Sequence, residues 1–193
     1  MTGMYERAKR VMDVVVASAG LAVCAIPLGA IALLVKCSSP GPVLYWSKRV
    51  GKDNRLFDMV KFRTMSTDAP TVATHLLSNP NLYVTRVGRF LRRTSLDELP
   101  QLFHVLTGDM SLVGPRPALY NQDDLIALRT ENGIHRLTPG LTGWSQVNGR
   151  DELSVPAKVS YDKHYLENKS VLLDARIVLM TIGAALKGRG VSH

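Results

Sequence analysis

From Val14 to Val35 the chain reads VVVASAGLAVCAIPLGAIALLV, 22 consecutive positions without a charge. About 20 apolar residues let a helix cross a bilayer, so the run reads as a membrane element. Pro27 interrupts it, because proline removes one intrahelical hydrogen bond and clashes with the preceding turn. Arg7, Lys9 and Arg10 flank the run on one side, and Lys36, Lys48 and Arg49 on the other. Such charges favour the cytoplasmic side of a membrane. One span cannot put both flanks there. A helix over residues 5–36 that enters, bends at Pro27 and returns to the same face can. A signal peptide fits less well, since the run is long for an h-region and no A-x-A-like cleavage site follows. A buried core helix is the remaining alternative.

The pattern changes after the run. SSPGP is a dense turn signal, VLYWSKRV reads as a strand, GKDN as a turn and LFDMVKFRTM as a second strand, so a hairpin is expected. Residues 66–81 are polar and mixed, a loop with one short helix. Residues 81–106 become helical. Val87, Phe90 and Leu91 form an apolar side there, while Arg86, Arg89 and Arg93 recur at three- and four-residue steps. That basic face suits the interface of an anionic membrane. Further helices are expected over 122–131, 155–166 and 172–186, the last too short to span comfortably. Residues 137–151, LTPGLTGWSQVNGRD, are turn-rich. No repeat, low-complexity tract or linker marks a second domain, so residues 1–193 are expected to be one domain.

Composition narrows the partners. The 193 residues carry a formal net charge of +8 and a pI near 9.7, which favours nucleic acid, a nucleotide substrate or an acidic lipid surface. Lys48, Arg49, Lys61 and Arg63 alternate with Trp46, Phe57 and Phe62, which could stack bases. No helix-turn-helix, zinc-finger or RNP pattern accompanies them, and nucleic-acid binding leaves the apolar run unexplained. Cys24 and Cys37 have no metal spacing and build no disulfide framework. The five histidines form no HExxH, and neither a P-loop nor GxGxxG occurs. His104 reads as a packed or hydrogen-bonded histidine.

The candidate chemistry lies in RRTSLDELPQLFHVLTGDMSLVGPRP, residues 92–117. Asp97 and Glu98 are adjacent. In a structural reading Ser95 is an N-cap, Glu98 completes a capping box and Asp97 faces the helix dipole, although Pro100 disturbs that frame. In a functional reading the two acids, about 100° apart on a helical turn, serve one small site. A carboxylate can hold Mg²⁺ together with substrate phosphates, or attack phosphorus to give an acyl phosphate. Arg92, Arg93 and Arg116, the last fixed between two prolines, would then oppose a phosphate. Asn148 and Arg150 lie in a glycine-containing loop that either makes turns or cradles a nucleotide phosphate. Spacing alone leaves both readings open.

Longer stretches carry a resemblance. KRVMDVVVA, SSPGPVLYWSKRVG, FDMVKFRTM, TRVGRFLRRTSLDELPQLFHVLTGDMSLVGPRP, LTPGLTGWSQVNGR, YDKHYLENKS and LLDARIVLMTI are similar to the bacterial monotopic phosphoglycosyl transferases. These polyprenyl-phosphate enzymes initiate glycan assembly. The similarity runs from Lys9 to about Arg189 and is to the small, catalytic-core form. SLDELPQL with GDMSLVGPRP is its most specific part. The resemblance implies an α/β, mainly helical monotopic protein with a re-entrant helix over 5–36, interfacial amphipathic helices and a small β-hairpin. The catalytic part would span 37–193 on the cytoplasmic face of the bacterial inner membrane.

It also implies transfer of a sugar 1-phosphate from a nucleotide diphosphate sugar, usually a UDP-sugar, to polyprenyl phosphate. The products would be polyprenyl-diphosphate-sugar and UMP. Mg²⁺ is the implied cofactor, Asp97 the nucleophile and Glu98 its metal-associated partner, with Arg116 a phosphate ligand. Implied partners are the two substrates and an anionic phospholipid membrane, with a homodimer or later glycosyltransferases as further candidates and no nucleic acid. A non-catalytic basic protein of the membrane surface, or one that binds nucleic acid, is the alternative. Two departures stand out. Ile26 precedes Pro27 where small members often carry serine, and His104 stands where relatives commonly carry asparagine.

Overall fold

The computed structural model describes residues 2–69, 82–149 and 152–186. Helix α1 (Thr2–Ser38) is the longest element. At 1.5 Å per residue it amounts to about 55 Å of helix. Helical order continues through Pro27, the position at which the sequence suggested a bend. Proline deletes only its own amide donor from the ladder, and the bonds on either side continue the helix.

The apolar run is uniform in sequence but not in environment. Asp13, Ala17, Ile31 and Val35 are buried, and Gly20, Cys24 and Leu28 are half-buried between them. These positions recur every three or four residues, the period of one helical face. That stripe rests on the rest of the protein along both halves of α1. Ala17 joins Met59, Val105 and Met110 in one core cluster, while Ile31 and Val35 join Phe62 and Leu91 in another. The opposite face stays apolar and open, with Val23 78% and Ile26 86% exposed.

Polar contacts fix the N-terminal half of α1. Arg10 donates to the Val105 and Leu106 carbonyls, at 2.5 and 2.7 Å. Asp13 accepts the Leu112 amide at 3.1 Å. Tyr5 and Lys9 both reach Asp174 Oδ2 at 2.9 Å. Lys9 and Arg10, which the sequence offered to lipid headgroups, therefore bind protein. After α1 the chain turns at Gly41 (φ +115°), where buried Arg63 donates to the Ser39 and Pro40 carbonyls.

The expected hairpin forms. Strands β1 (Leu44–Val50) and β2 (Leu56–Phe62) are antiparallel, with Leu44 opposite Phe62 and Val50 opposite Leu56. Asp53 and Asn54 turn it with φ of 54° and 59°, a left-handed conformation that their short polar side chains tolerate. The helical stretch expected over 81–106 is instead three pieces: α2 (Arg86–Thr94), a 3-10 turn (Leu96–Gln101) and α3 (Leu102–Thr107). Ser95, at φ 56°, breaks the first from the second.

Three short strands lay hidden in irregular text. Strand β3 (Ser111–Val113) pairs in parallel with β5 (Gly140–Thr142), while β4 (Ala118–Leu119) adds to the free side of β1. Helices α4 (Asp123–Glu131), α5 (Trp144–Val147), α6 (Val155–Asn168) and α7 (Val171–Leu186) complete the described chain. The loop and short helix expected over 66–81 fall largely outside the described residues.

One close approach seats α2 on the hairpin. A Cβ at Gly88 would stand 2.0 Å from the Thr64 carbonyl oxygen, an overlap with rigid backbone. Alanine in a helix interior normally gains about 1 kcal/mol over glycine, and Gly29 of α1 has open space around it. Gly29→Ala should therefore leave the melting temperature unchanged or raise it. Gly88→Ala should lower it, by the equivalent of about 1–3 kcal/mol, typical of overpacking. Thermal unfolding of both variants in detergent checks the opposite signs.

Candidate active site

The site begins where β2 ends. The Thr64 carbonyl accepts the Thr85 amide at 3.1 Å. The Thr64 hydroxyl accepts Arg92 Nε at 2.8 Å. This pins α2, and with it the Ser95 turn that carries the acids. The turn does not form the capping box. Ser95 makes no side-chain cap bond, and its amide goes to the Arg92 and Leu91 carbonyls. Glu98 therefore has no cap to complete.

Its carboxylate goes to cations instead. Glu98 Oε1 accepts Lys61 Nζ at 2.6 Å and Arg116 Nη2 at 3.1 Å. The three residues come from separate segments: Lys61 from β2, Glu98 from the 3-10 turn and Arg116 from the Pro115–Pro117 stretch. Burial pushes the Glu98 carboxyl upward, but Arg116 and Lys61 override it and hold the group well below the usual carboxylate range. Arg116 is anchored from behind. Its carbonyl accepts Arg129 Nη1 at 2.8 Å. Arg129 is itself locked to buried Asp162, at 2.6 and 3.0 Å, and Ser145 donates to the other Asp162 oxygen.

Asp97 is treated differently. It is 8% exposed and has no ion-pair partner among the described residues. Burial raises its carboxyl, Lys61 and Arg92 pull it back, and Glu98 pushes it up again, leaving it raised to about 6. Burial likewise lowers Arg92, with Asp97 opposing, and a guanidinium stays charged regardless. The pair is thus one clamped carboxylate beside one buried carboxylate short of positive charge.

The other sequence candidates separate. Arg93 is exposed on α2 and shares no hydrogen bond or ion pair with the acids among the described residues. Asn148 closes α5 by donating to the Trp144 carbonyl at 2.7 Å; α5 packs on α6 and α7, while the acidic turn packs on β2, α2 and α3. Arg150 lies outside the described residues. Pro27 is exposed on α1. Lys61 and Thr64 join the candidate site; sequence reasoning placed Lys61 only among basic residues that could bind nucleic acid and passed over Thr64. The available signal was a lysine embedded in MVKF, whose other three residues are buried. Among the described residues no three or more of His, Cys, Asp and Glu gather as a metal cage. Mg²⁺ needs less, one or two carboxylates plus substrate phosphates, and an under-neutralised Asp97 next to Glu98 fits that requirement.

Comparison with known proteins agrees with the motifs. The model of the bacterial sugar transferase family matches residues 4–188. The chain is 41% identical over 190 residues to the UDP-glucose:undecaprenyl-phosphate glucose-1-phosphate transferase of Escherichia coli (strain K12), covering 94% of this chain and 41% of that protein. It is 38% identical over 192 residues to the UDP-N-acetylgalactosamine-undecaprenyl-phosphate N-acetylgalactosaminephosphotransferase of Aeromonas hydrophila, covering 97% and 45%. The chain thus spans less than half the length of these two. It is also 38% identical over 198 residues to the exopolysaccharide production protein ExoY of Sinorhizobium fredii (strain NBRC 101917 / NGR234), covering 94% and 87%.

The two acids should affect stability with opposite signs. Asp97 holds its proton more tightly folded than unfolded, so the protein gains stability as pH falls from about 6 towards 4. At pH 7.5 in EDTA, Asp97→Asn removes a buried charge and should raise the melting temperature. A raise of about two pH units at 1.36 kcal/mol each corresponds to about 3 kcal/mol. The gain should shrink as pH falls through 6 and vanish near 4. Glu98 holds its proton less tightly folded, so its contribution is present above the unfolded value of about 4.3 and lost only in strong acid. Glu98→Gln should therefore lower the melting temperature at pH 7.5. A pH-independent offset for Asp97→Asn between 7.5 and 4 contradicts the assignment.

Proposed function

The chain belongs to the bacterial sugar transferase family, and from that premise we propose that it moves a sugar 1-phosphate from a UDP-sugar to polyprenyl phosphate. The observation that carries the reading is the contrast within the acidic pair. Glu98 Oε1 is engaged by Lys61 and Arg116, whereas Asp97 beside it is buried without an ion pair among the described residues. A carboxylate oxygen shared by two cations is a poor nucleophile, while a carboxylate without an ion pair keeps lone pairs available for attack.

In the first step an Asp97 carboxylate oxygen forms a bond to the phosphorus that bears the sugar. The bond from that phosphorus to the bridging pyrophosphate oxygen breaks, and UMP leaves with the electron pair. In the second step a polyprenyl-phosphate oxygen attacks the same phosphorus, and Asp97 departs as a free carboxylate. Polyprenyl-diphosphate-sugar is the product. Arg116, fixed by its bond to Glu98 and by Arg129 behind its carbonyl, would bring positive charge to the phosphate. Arg92 supplies positive potential to Asp97 from the other side. Lys61 keeps Glu98 ionised and in place. Mg²⁺ carried by Asp97 and Glu98 would neutralise pyrophosphate charge. The names of the relatives supply the substrate classes: UDP-glucose or UDP-N-acetylgalactosamine as donor, undecaprenyl phosphate as acceptor.

The lipid acceptor requires the site to face a membrane boundary, and the described surface supports this. Besides the open face of α1, α7 leaves apolar positions bare, with Leu172, Leu179 and Ile182 exposed. Soluble monomers rarely leave such apolar faces bare. Both halves of α1 rest on the protein, one on β2 and α3 and the other on β2 and α2, so we read it as an element of one membrane face rather than a projecting span, with both of its ends in the cytoplasm.

With Mg²⁺, UDP-sugars and polyprenyl phosphate, the protein in membranes should release UMP in step with lipid-linked product. Release of UDP instead identifies ordinary glycosyl transfer and defeats the reading. Intact-mass spectrometry should show a phosphosugar adduct on the parent protein and none on Asp97→Asn. Arg116→Ala should slow turnover roughly 100-fold, the effect of losing one oxyanion-type donor of about 3 kcal/mol. For topology, Thr2→Cys and Lys52→Cys, placed singly in a background lacking the two native cysteines, should label only after cells are permeabilised. Labelling of either in intact cells shows a full span.

A further inference from the structure

His104 stands behind the site rather than in it, yet it joins the segments that build the site. We infer that His104, backed by Asp109, is a positioning residue that holds Lys61 on Glu98. The inference rests on the proposed function above.

Strand β2 lies at the sheet edge, in the order β2-β1-β4. Its Val60 amide points away from β1 and donates to His104 Nε2 at 3.1 Å. With Nε2 accepting, the ring proton sits on Nδ1, which donates to Asp109 Oδ2 at 3.3 Å. Thr107 Oγ1 donates to the same Asp109 oxygen at 2.7 Å. The ring is buried and held by the edges and faces of Trp46, Phe57 and Phe103, with centroids 6.4, 5.5 and 6.1 Å away. The His104 carbonyl accepts the Gly108 and Met110 amides, both at 3.0 Å.

Three consequences meet at this residue. Lys61 is the next residue after Val60, so the imidazole fixes the backbone from which Lys61 reaches Glu98. His104 sits in α3, which continues directly from the turn bearing Asp97 and Glu98. Asp109 opens the segment that runs through β3 to Arg116. One side chain thus sets the spacing between the acid-bearing turn and the strand that carries its lysine. A residue that merely filled space would need neither a ring acceptor aimed at an edge amide nor an acid behind it to fix the tautomer.

The test is a double-mutant cycle in nanodiscs, read as the single-turnover rate of adduct formation by intact mass. His104→Leu should slow adduct formation about tenfold at saturating donor, a rise of about 1.4 kcal/mol in the barrier. The donor concentration giving half-maximal rate should change by less than about threefold, since ground-state binding is not what a positioning residue supplies. His104→Gln, whose Oε1 can stand where Nε2 accepts the Val60 amide, should recover most of the rate. In a Lys61→Met background, His104→Leu should cost at most about twofold, because the lysine it positions is gone. A full tenfold loss in that background, or a His104→Gln protein that melts like the parent but is as slow as His104→Leu, overturns the inference. Absence of any adduct on the parent protein overturns the proposed function, and this inference with it. An adduct with a strictly additive cycle overturns this inference alone.

Discussion

The site depends on two cations sharing one oxygen of Glu98. Lys61 and Arg116 come from segments 55 residues apart, and the acid lies between them in sequence. Removing the acid leaves two half-buried cations facing each other, and removing either cation leaves the acid's burial uncompensated. Broken buried pairs are costly because the remaining charge is stranded. The triad therefore acts as a lock on geometry more than as a source of net stability. Its electrostatic consequence falls on the neighbour. The cations are engaged by Glu98, and Asp97 receives only their more distant field. Adjacent acids thus acquire separate properties from one arrangement, a division of labour that paired carboxylates need for chemistry.

Helix α1 poses the opposite physical problem. Its open face is largely apolar between Val11 and Leu34, so against lipid the hydrophobic effect would not hold it to the protein. Specific polar bonds and close packing must do so. Asp13 takes a backbone amide, Arg10 caps the end of α3, and Asp174 gathers Tyr5, Lys9 and Tyr165. Burial and the Asp174 charge push the Tyr165 hydroxyl far above its ordinary range, so it remains a hydrogen-bond donor. Gly20 adds a close contact, where a Cβ would meet Leu102 at 3.3 Å. Helix α1, the element proposed to meet lipid, is thereby fixed to α3, the direct continuation of the acidic turn. The placement of α1 and the position of Asp97 are mechanically linked through these contacts.

Much of this was legible in the sequence, unevenly and for identifiable reasons. The hairpin was readable because alternation, β-branched and aromatic residues and a GKDN turn agreed. The acidic pair and Arg116 were visible as charge in a motif of unusual composition. Lys61 was noted only among strand residues that could bind nucleic acid, because a lysine on a strand is usually solvated and only pairing across 37 residues places it on Glu98. The capping box had the right spacing in Ser95 and Glu98, although Pro100 disturbed its frame. It fails because Ser95, shared by the end of α2 and the start of the 3-10 turn, adopts a left-handed conformation and makes no side-chain cap bond. Strands β3, β4 and β5, two or three residues each, give too few positions for a period to register. The buried stripe of α1 was invisible for the converse reason: with every position apolar, hydropathy does not say which face meets protein.

Pro27 shows how local and tertiary terms combine. Read alone, it removes a donor in a place where lipid offers no replacement. In the fold, helical order persists on both sides of it, and the half-buried neighbours Cys24 and Leu28 keep the contact stripe continuous across the proline. The stripe, rather than the proline, determines which face of α1 turns towards the protein. Proline instead weakens the ladder at one point on the exposed side, midway between the cluster around Ala17 and that around Ile31 and Val35. A helix anchored at both ends with one soft joint between them can follow the curvature of the body it rests on without losing either anchor. That places the helix's compliance away from Asp13 and Arg10 and beside Leu28, which packs in the same cluster as Leu96 and Leu99 of the acidic turn.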